Sequence, residues 1–269
     1  MSPTFIKRSI TVIILMPLAI WLVLGTSLRV FEIFSAAFIL FAAWEWTILS
    51  GIKNFYQKLC YLIAILAALS IAQFFSFYVL IIGILWWLYA LLQLINYQRN
   101  PSKTIISRNN LLAGLFAIIP CWIGLNSLRA TVGGAELLLF FLFMLWASDT
   151  GAYLVGSKIG RRKLAPAISP GKSIEGYFGG IMLMLIVIIF GIWILKIPSG
   201  KWLGLVILAI VMNFFSVIGD LYESMLKRKF GVKDSGNLIP GHGGVLDRID
   251  SWLAASPIFA LGMHFLGYI

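Results

Sequence analysis

Acidic side chains are few enough in this chain to weigh one by one: Glu32, Glu45, Glu136, Asp149, Glu175, Asp220, Glu223, Asp234, Asp247 and Asp250. All five aspartates fall between 149 and 250. Asp149 and Asp220 lie inside or at the ends of strongly apolar stretches. A charge there costs about 2.5–3.5 kcal/mol on insertion scales and marks function by default. Asn213, Ser216, Asp220, Glu223 and Lys227 recur at steps of three and four, which draws one polar stripe along a helix. That stripe cannot face lipid, so it is either an interhelical hydrogen-bond seam or the wall of a water-filled cavity. Two carboxylates a turn apart favour the cavity. A second piece is Ser148-Asp149-Thr150-Gly151-Ala152-Tyr153, with Asp149 and Tyr153 on one helical face. Glu45, between Trp44 and Trp46, reads either as a partnered interfacial carboxylate or as a catalytic one.

The segment 224–250 is the most informative. It opens with Lys227, Arg228, Lys229 and Lys233, continues through Gly236, Pro240, Gly241, Gly243 and Gly244, and closes on Asp247, Arg248 and Asp250. Cations and open backbone amides hold phosphate oxygens. Glycines let the backbone bend tightly and approach a ligand, and paired aspartates hold the magnesium that bridges phosphate oxygens. This segment resembles the signature of the phosphatidate cytidylyltransferase (CDP-diacylglycerol synthase) family. The match runs from Ser224 through Lys227-Arg228, Lys233-Asp234-Ser235-Gly236, Pro240 and His242-Gly243-Gly244 to Asp247-Arg248 and Asp250, without a departure. Upstream, Ser148–Tyr153, Ser169-Pro170-Gly171-Lys172-Ser173-Ile174-Glu175-Gly176, Gly219-Asp220 and Glu223-Ser224 also look like family motifs. The specific resemblance covers roughly 140–255.

What the resemblance implies is the reaction of CTP with phosphatidic acid to give CDP-diacylglycerol and pyrophosphate. A phosphomonoester is already ionised near neutral pH, its second pKa being about 6, so no strong general base is needed. Two anionic reactants must instead be positioned and their charge neutralised. Asp220 and Asp247 are the first candidates for metal ligands and Asp250 and Asp149 the second, holding Mg2+ and leaving room for a further cation. Lys227, Arg228, Lys233, Lys172 and Arg248 would grip triphosphate or lipid phosphate. Ser173, Ser224 and Asp234 join the implied substrate-binding set, and His242 would orient phosphate or protonate pyrophosphate. Gly171-Lys172-Ser173 ends like a phosphate-binding P-loop, but Pro166 stands where that motif needs glycine, and a strand before it is not expected.

These residues need a frame, and composition says which kind. The 269 residues are 61% hydrophobic and 12% charged, with a mean hydropathy of +0.97. That apolar content is laid out in long runs, and a spanning helix needs about 20 such residues. Nine stretches qualify, near 10–28, 31–50, 59–77, 79–97, 111–130, 135–156, 176–196, 202–224 and 249–268. The expected fold is an all-α, polytopic transmembrane helix bundle. Residues 1–110 would form N-terminal membrane helices, and 111–269 a catalytic membrane region with cytoplasmic loops at 157–175 and 225–248. With nine spans and a cytoplasmic N-terminus, seventeen Lys and Arg residues share one side and Arg29, Arg129, Lys196 and Lys201 the other. Basic loops stay cytoplasmic, so the net charge of +11 reflects topology and gives nucleic-acid binding no support. The resulting expectation is a bacterial inner-membrane protein with its site facing the cytoplasm. Cys60 and Cys121 lack ligand spacing and read as packing residues. The small-residue step from Gly176 to Gly180 would support helix pairing within the chain or in a homodimer. Two alternatives stand beside the implied activity. One is a related enzyme acting on another lipid; the other is an ion carrier, whose acids would lie near mid-membrane in two related halves.

Overall fold

The computed structural model describes residues 16–101, 110–236, 238 and 243–269. Its helices are α1 (Met16–Gly25), then α2 (Leu28–Leu49), α3 (Phe55–Ala72), α4 (Ser76–Arg99), α5 (Asn110–Ala130), α6 (Gly134–Ile159), α7 (Ile174–Ile194), α8 (Trp202–Lys229) and α9 (Leu246–Phe265). Among the described residues six helical stretches are long and apolar enough to cross a membrane. One of them, Phe55–Arg99, is 45 residues long. A straight helix of that length would extend about 68 Å at 1.5 Å per residue, more than twice a bilayer core. It is broken by a 3₁₀ turn at Gln73–Phe75 into α3 and α4. The expected first stretch, 10–28, falls partly outside the described residues, as do Lys7, Arg8, Lys103 and Arg108 from the charge count.

Helix α9 is the hub, packing on α8, α5, α4 and α2. In lipid no hydrophobic force drives helices together, so they associate where small residues let backbones approach and where polar groups bond across. Gly219 on α8 lies against the Asp250 carbonyl and Ala254 of α9, and Gly124 on α5 against the backbone of Ser256 and Pro257. Trp87 Nε1 on α4 donates to the Leu253 carbonyl at 3.0 Å, and Ser256 Oγ to the Cys121 carbonyl at 3.0 Å. Cys121 is buried and unbridged, as the packing reading expects, whereas Cys60 is exposed. His264 packs among Phe77 and Phe265.

The α6–α7 contact is built from glycines on both sides. Any side chain at Gly151 would strike the Gly179 carbonyl, one at Gly180 would meet Ser148, and Gly176 lies against Ala152 and Gly156. The small-residue step Gly176–Gly180 therefore pairs helices within the chain.

Two expectations need correction. The stretch 157–175 is not a plain loop: β1 (Lys163–Ala165) and β2 (Ser169–Ser173) form an antiparallel hairpin, Lys163 opposite Ser173. A strand does, then, accompany Gly171-Lys172-Ser173, but it contains those residues and leads straight into α7, leaving no loop to wrap a phosphate. The segment 225–248 is likewise shorter as a loop, because α8 runs through Lys229 and α9 begins at Leu246. Apolarity ends before the helix does, since basic residues in a last turn favour the negative end of the helix dipole.

If the α6–α7 approach has this geometry, Gly179→Leu overpacks it by about 1–3 kcal/mol. The detergent-solubilised protein should then lose several degrees of thermal midpoint, while Gly171→Ala, with open space around it, should not. An unchanged midpoint in Gly179→Leu would contradict the packing described.

Candidate active site

The polar stripe on α8 divides into two parts. Its deeper part is a seam: Asn213 is fully buried and its Oδ1 accepts from Ser148 Oγ of α6, while Ser216 Oγ bonds the Asn213 carbonyl at 2.8 Å. Its outer part carries charge. Asp220 forms an ion pair with Lys172, which β2 carries in from the hairpin, and Ser224 Oγ donates to Asp220 Oδ1 at 3.4 Å. Asp149 of α6 and Asp250 of α9 both lie within electrostatic reach of Asp220 and of Lys172, and Arg248 within reach of Asp149. Three carboxylates from three helices thus converge where the hairpin folds back. Asp149 is exposed and Asp220 half-buried, so the group opens to solvent.

A second cluster sits nearer the helix ends. Lys227 Nζ bridges Glu223 Oε2 at 2.7 Å and Asp247 Oδ1 at 2.6 Å. Asp247 Oδ2 accepts from the Ser235 amide and hydroxyl, both at 2.9 Å, and from the Gly244 amide at 2.8 Å. Gly243 makes this wrap possible with φ +80°, a left-handed backbone that side chains disfavour. Glu223 joins the clusters, having both Asp250 and Asp247 as electrostatic neighbours.

Asp220 and Asp247 lie at the same end of the bundle but in different clusters. Asp220, which pairs with Lys172, stands on α8 seven residues before Lys227, about 10 Å along the axis at 1.5 Å per residue. Both oxygens of Asp247 are taken by protein donors. Ser173 is buried and spends its Oγ as the N-cap of α7, accepting the Gly176 amide at 3.1 Å. Arg228 donates to the Ile168 carbonyl of the hairpin turn at 3.3 Å, and its side chain is exposed, as are Lys233, Asp234 and Arg248. Tyr153 is 73% exposed and stands apart from both clusters. His242, with Pro240 and Gly241, lies outside the described residues.

Glu45 is the residue on which sequence reasoning stayed divided. It is 1% exposed and accepts from Ser235 Oγ at 3.0 Å, the Val245 amide at 3.1 Å and the Leu246 amide at 2.7 Å. The partnered reading is the one the geometry bears out. Its partners are loop amides some two hundred residues away, which sequence spacing cannot reveal.

Among the described residues no three His, Cys, Asp or Glu side chains stand in ligating positions. In kind, the clustered carboxylates fit magnesium, which takes oxygen ligands and usually only one or two carboxylates. Asp220 already meets a positive charge at the ammonium of Lys172.

Known proteins resemble this chain over much of its length. A phosphatidate cytidylyltransferase of Pseudomonas aeruginosa is 37% identical over 258 residues, covering 94% of this chain and 95% of its own. One of Haemophilus influenzae is 44% identical over 199 residues, 70% of this chain and 68% of its own. One of Staphylococcus epidermidis is 39% identical over 163 residues, 58% of this chain and 62% of its own. The model of the cytidylyltransferase family matches residues 6–266, nearly the whole sequence, and the chain belongs to that family.

Proposed function

We propose that the chain transfers the cytidylyl group of CTP to phosphatidic acid, forming CDP-diacylglycerol and pyrophosphate. The observation that carries this reading is the convergence of Asp149, Asp220 and Asp250 on Lys172 at one end of the bundle. A site for two polyanions needs that mixture of acids and mobile cations, and its relatives' names supply the substrates.

In the reaction a phosphatidate oxygen forms a bond to the α-phosphorus of CTP, and the bond from that phosphorus to the bridging oxygen breaks, releasing pyrophosphate. The oxygen arrives ionised, so the side chains orient and neutralise rather than deprotonate. Asp220, with Asp250 and Asp149, would hold Mg2+; Asp247 would serve a further cation only by giving up Lys227. Bound there, magnesium would neutralise charge on the reacting phosphates. Lys172, released from Asp220, would take phosphate, and Arg248, Arg228 and Lys233, all exposed, would add cations. Ser224 steadies Asp220, Ser173 fixes the turn that carries Lys172, and Asp234 lies beside Gly243. His242 is proposed to meet pyrophosphate.

An apolar cleft of about 340 Å³ runs between α4, α8 and the hairpin, lined by Leu94, Leu164, Ile168, Phe214, Val217 and Leu221, with Arg99 also on its wall. Val217 of the lining stands three residues before Asp220 on the same face of α8, so an acyl chain of phosphatidate in this cleft would leave its headgroup near the carboxylates. The proposed setting is the bacterial inner membrane with nine spans, the N-terminus and the site cytoplasmic, and residues 111–269 carrying the catalytic groups. The bias of seventeen basic residues to four supports that orientation. A homodimer would need a face other than Gly176–Gly180, which α6 covers.

Purified protein incubated with labelled CTP, phosphatidate and Mg2+ should yield labelled CDP-diacylglycerol; no product with active lipid present would overturn the reading. Asp220→Asn and Asp247→Asn should each lower product formation by at least about a hundredfold while the protein keeps its size-exclusion profile. Wild-type turnover in either removes that residue from the site. Val217→Trp, filling the cleft, should raise KM for phosphatidate about tenfold and leave KM for CTP unchanged. Equal effects on both substrates would refute the acyl-chain assignment.

A further inference from the structure

Glu45 stands on α2, among the N-terminal membrane helices, yet among the described residues its carboxylate bonds to Ser235, Val245 and Leu246. Among the described residues no lysine, arginine or histidine lies within ion-pairing distance of it. A buried carboxylate without a cation must be stabilised by hydrogen bonds. Here two of these come from the first amides of α9, whose positive dipole end favours an anion. Helix α9 has no side-chain cap of its own at Val245; Glu45 supplies one from another helix. The loop has also been cleared to admit it, since a Cβ at Gly236 or at Gly244 would collide with the Glu45 carboxylate.

The bonds continue into the site. Ser235 Oγ lies 3.0 Å from Glu45 Oε2 and 2.9 Å from Asp247 Oδ2. Ser235 Oγ sits between the two carboxylates and, with one proton, donates to one of them at a time. Asp247 in turn holds Lys227 at 2.6 Å, and Lys227 holds Glu223 at 2.7 Å. A chain of hydrogen bonds thus runs from α2 through the loop to α9 and α8.

We propose that Glu45 is a positioning residue for cytidylyl transfer, capping α9 from α2 and holding Ser235 against the start of α9 so that Asp247 and Lys227 meet the substrates in fixed geometry. This rests on the activity proposed above, but the clamp itself is readable without it. Glu45→Gln keeps the length while turning an amide group toward backbone donors, so at least one bond is lost. In the full-length purified protein, hydrogen–deuterium exchange should then speed at 244–247 and stay unchanged in α6 and α7. Misplacing catalytic groups by a fraction of an ångström should lower kcat at least about tenfold with KM for phosphatidate within about twofold. Wild-type kcat with wild-type exchange at 244–247 would overturn the proposal, as would faster exchange throughout the bundle. If wild-type protein makes no CDP-diacylglycerol yet Glu45→Gln still loosens 244–247 alone, the clamp stands and the activity assignment fails. Should Glu45→Gln not fold, Glu45→Asp, which keeps the charge one methylene short, decides the matter. Reduced kcat at unchanged KM supports positioning, whereas wild-type kcat, or failure of this variant to fold as well, overturns it.

Discussion

The arrangement depends on how carboxylates are held at the end of an apolar bundle without repelling one another or drawing water through it. Asp149, Asp220 and Asp250 are brought together by three helices, and a single ammonium, that of Lys172, is inserted among them. The Lys172–Asp220 pair is only partly buried, so it adds an electrostatic tie between hairpin and α8 to the strand pairing. The same logic recurs one step outward, where Lys227 sits between Glu223 and Asp247. The proposed chemistry exploits this: a site already organised around cations can exchange them for the charges of its substrates.

Packing makes the convergence possible. Glycines at 151, 176, 179 and 180 let α6 and α7 touch backbone to backbone, and Gly219 does the same for α8 and α9 at Asp250. A bulkier residue at Gly219 would separate α8 from α9, and one at the other four would push α7, which follows directly on the strand carrying Lys172, away from α6. Below the acids, Ser148 and Asn213 close the bundle with a hydrogen bond instead of a charge, so the polar stripe changes from structural seam to site along one helix.

Much of this was legible in the sequence because it rests on local periodicity. The stripe from Asn213 to Lys227, the isolated acids in apolar runs and the glycine-rich stretch before Asp247 announce themselves by spacing and cost. What was not legible depends on contacts distant in the chain. The hairpin at 163–173 is short, with Pro166, Pro170 and Gly171, and shows no alternation that would mark a strand. The division of the stripe into seam and site is decided by what α6 presents to α8, and the separation of Asp220 from Asp247 by where α8 ends. Glu45 carried only the signal of a charge between two tryptophans; its partners at 235 and 245–246 are brought to it by α9 crossing the bundle.

The Asp220 cluster is proposed to take a divalent cation in exchange with Lys172. Binding of Mn2+ to the purified protein, followed without nucleotide by loss of the free ion's electron paramagnetic resonance signal, reads this without turnover. The account predicts saturable binding by the wild-type protein, displaced by Mg2+, and its loss in Asp220→Asn. Equal binding by Asp220→Asn, or none by the wild-type protein, would contradict it.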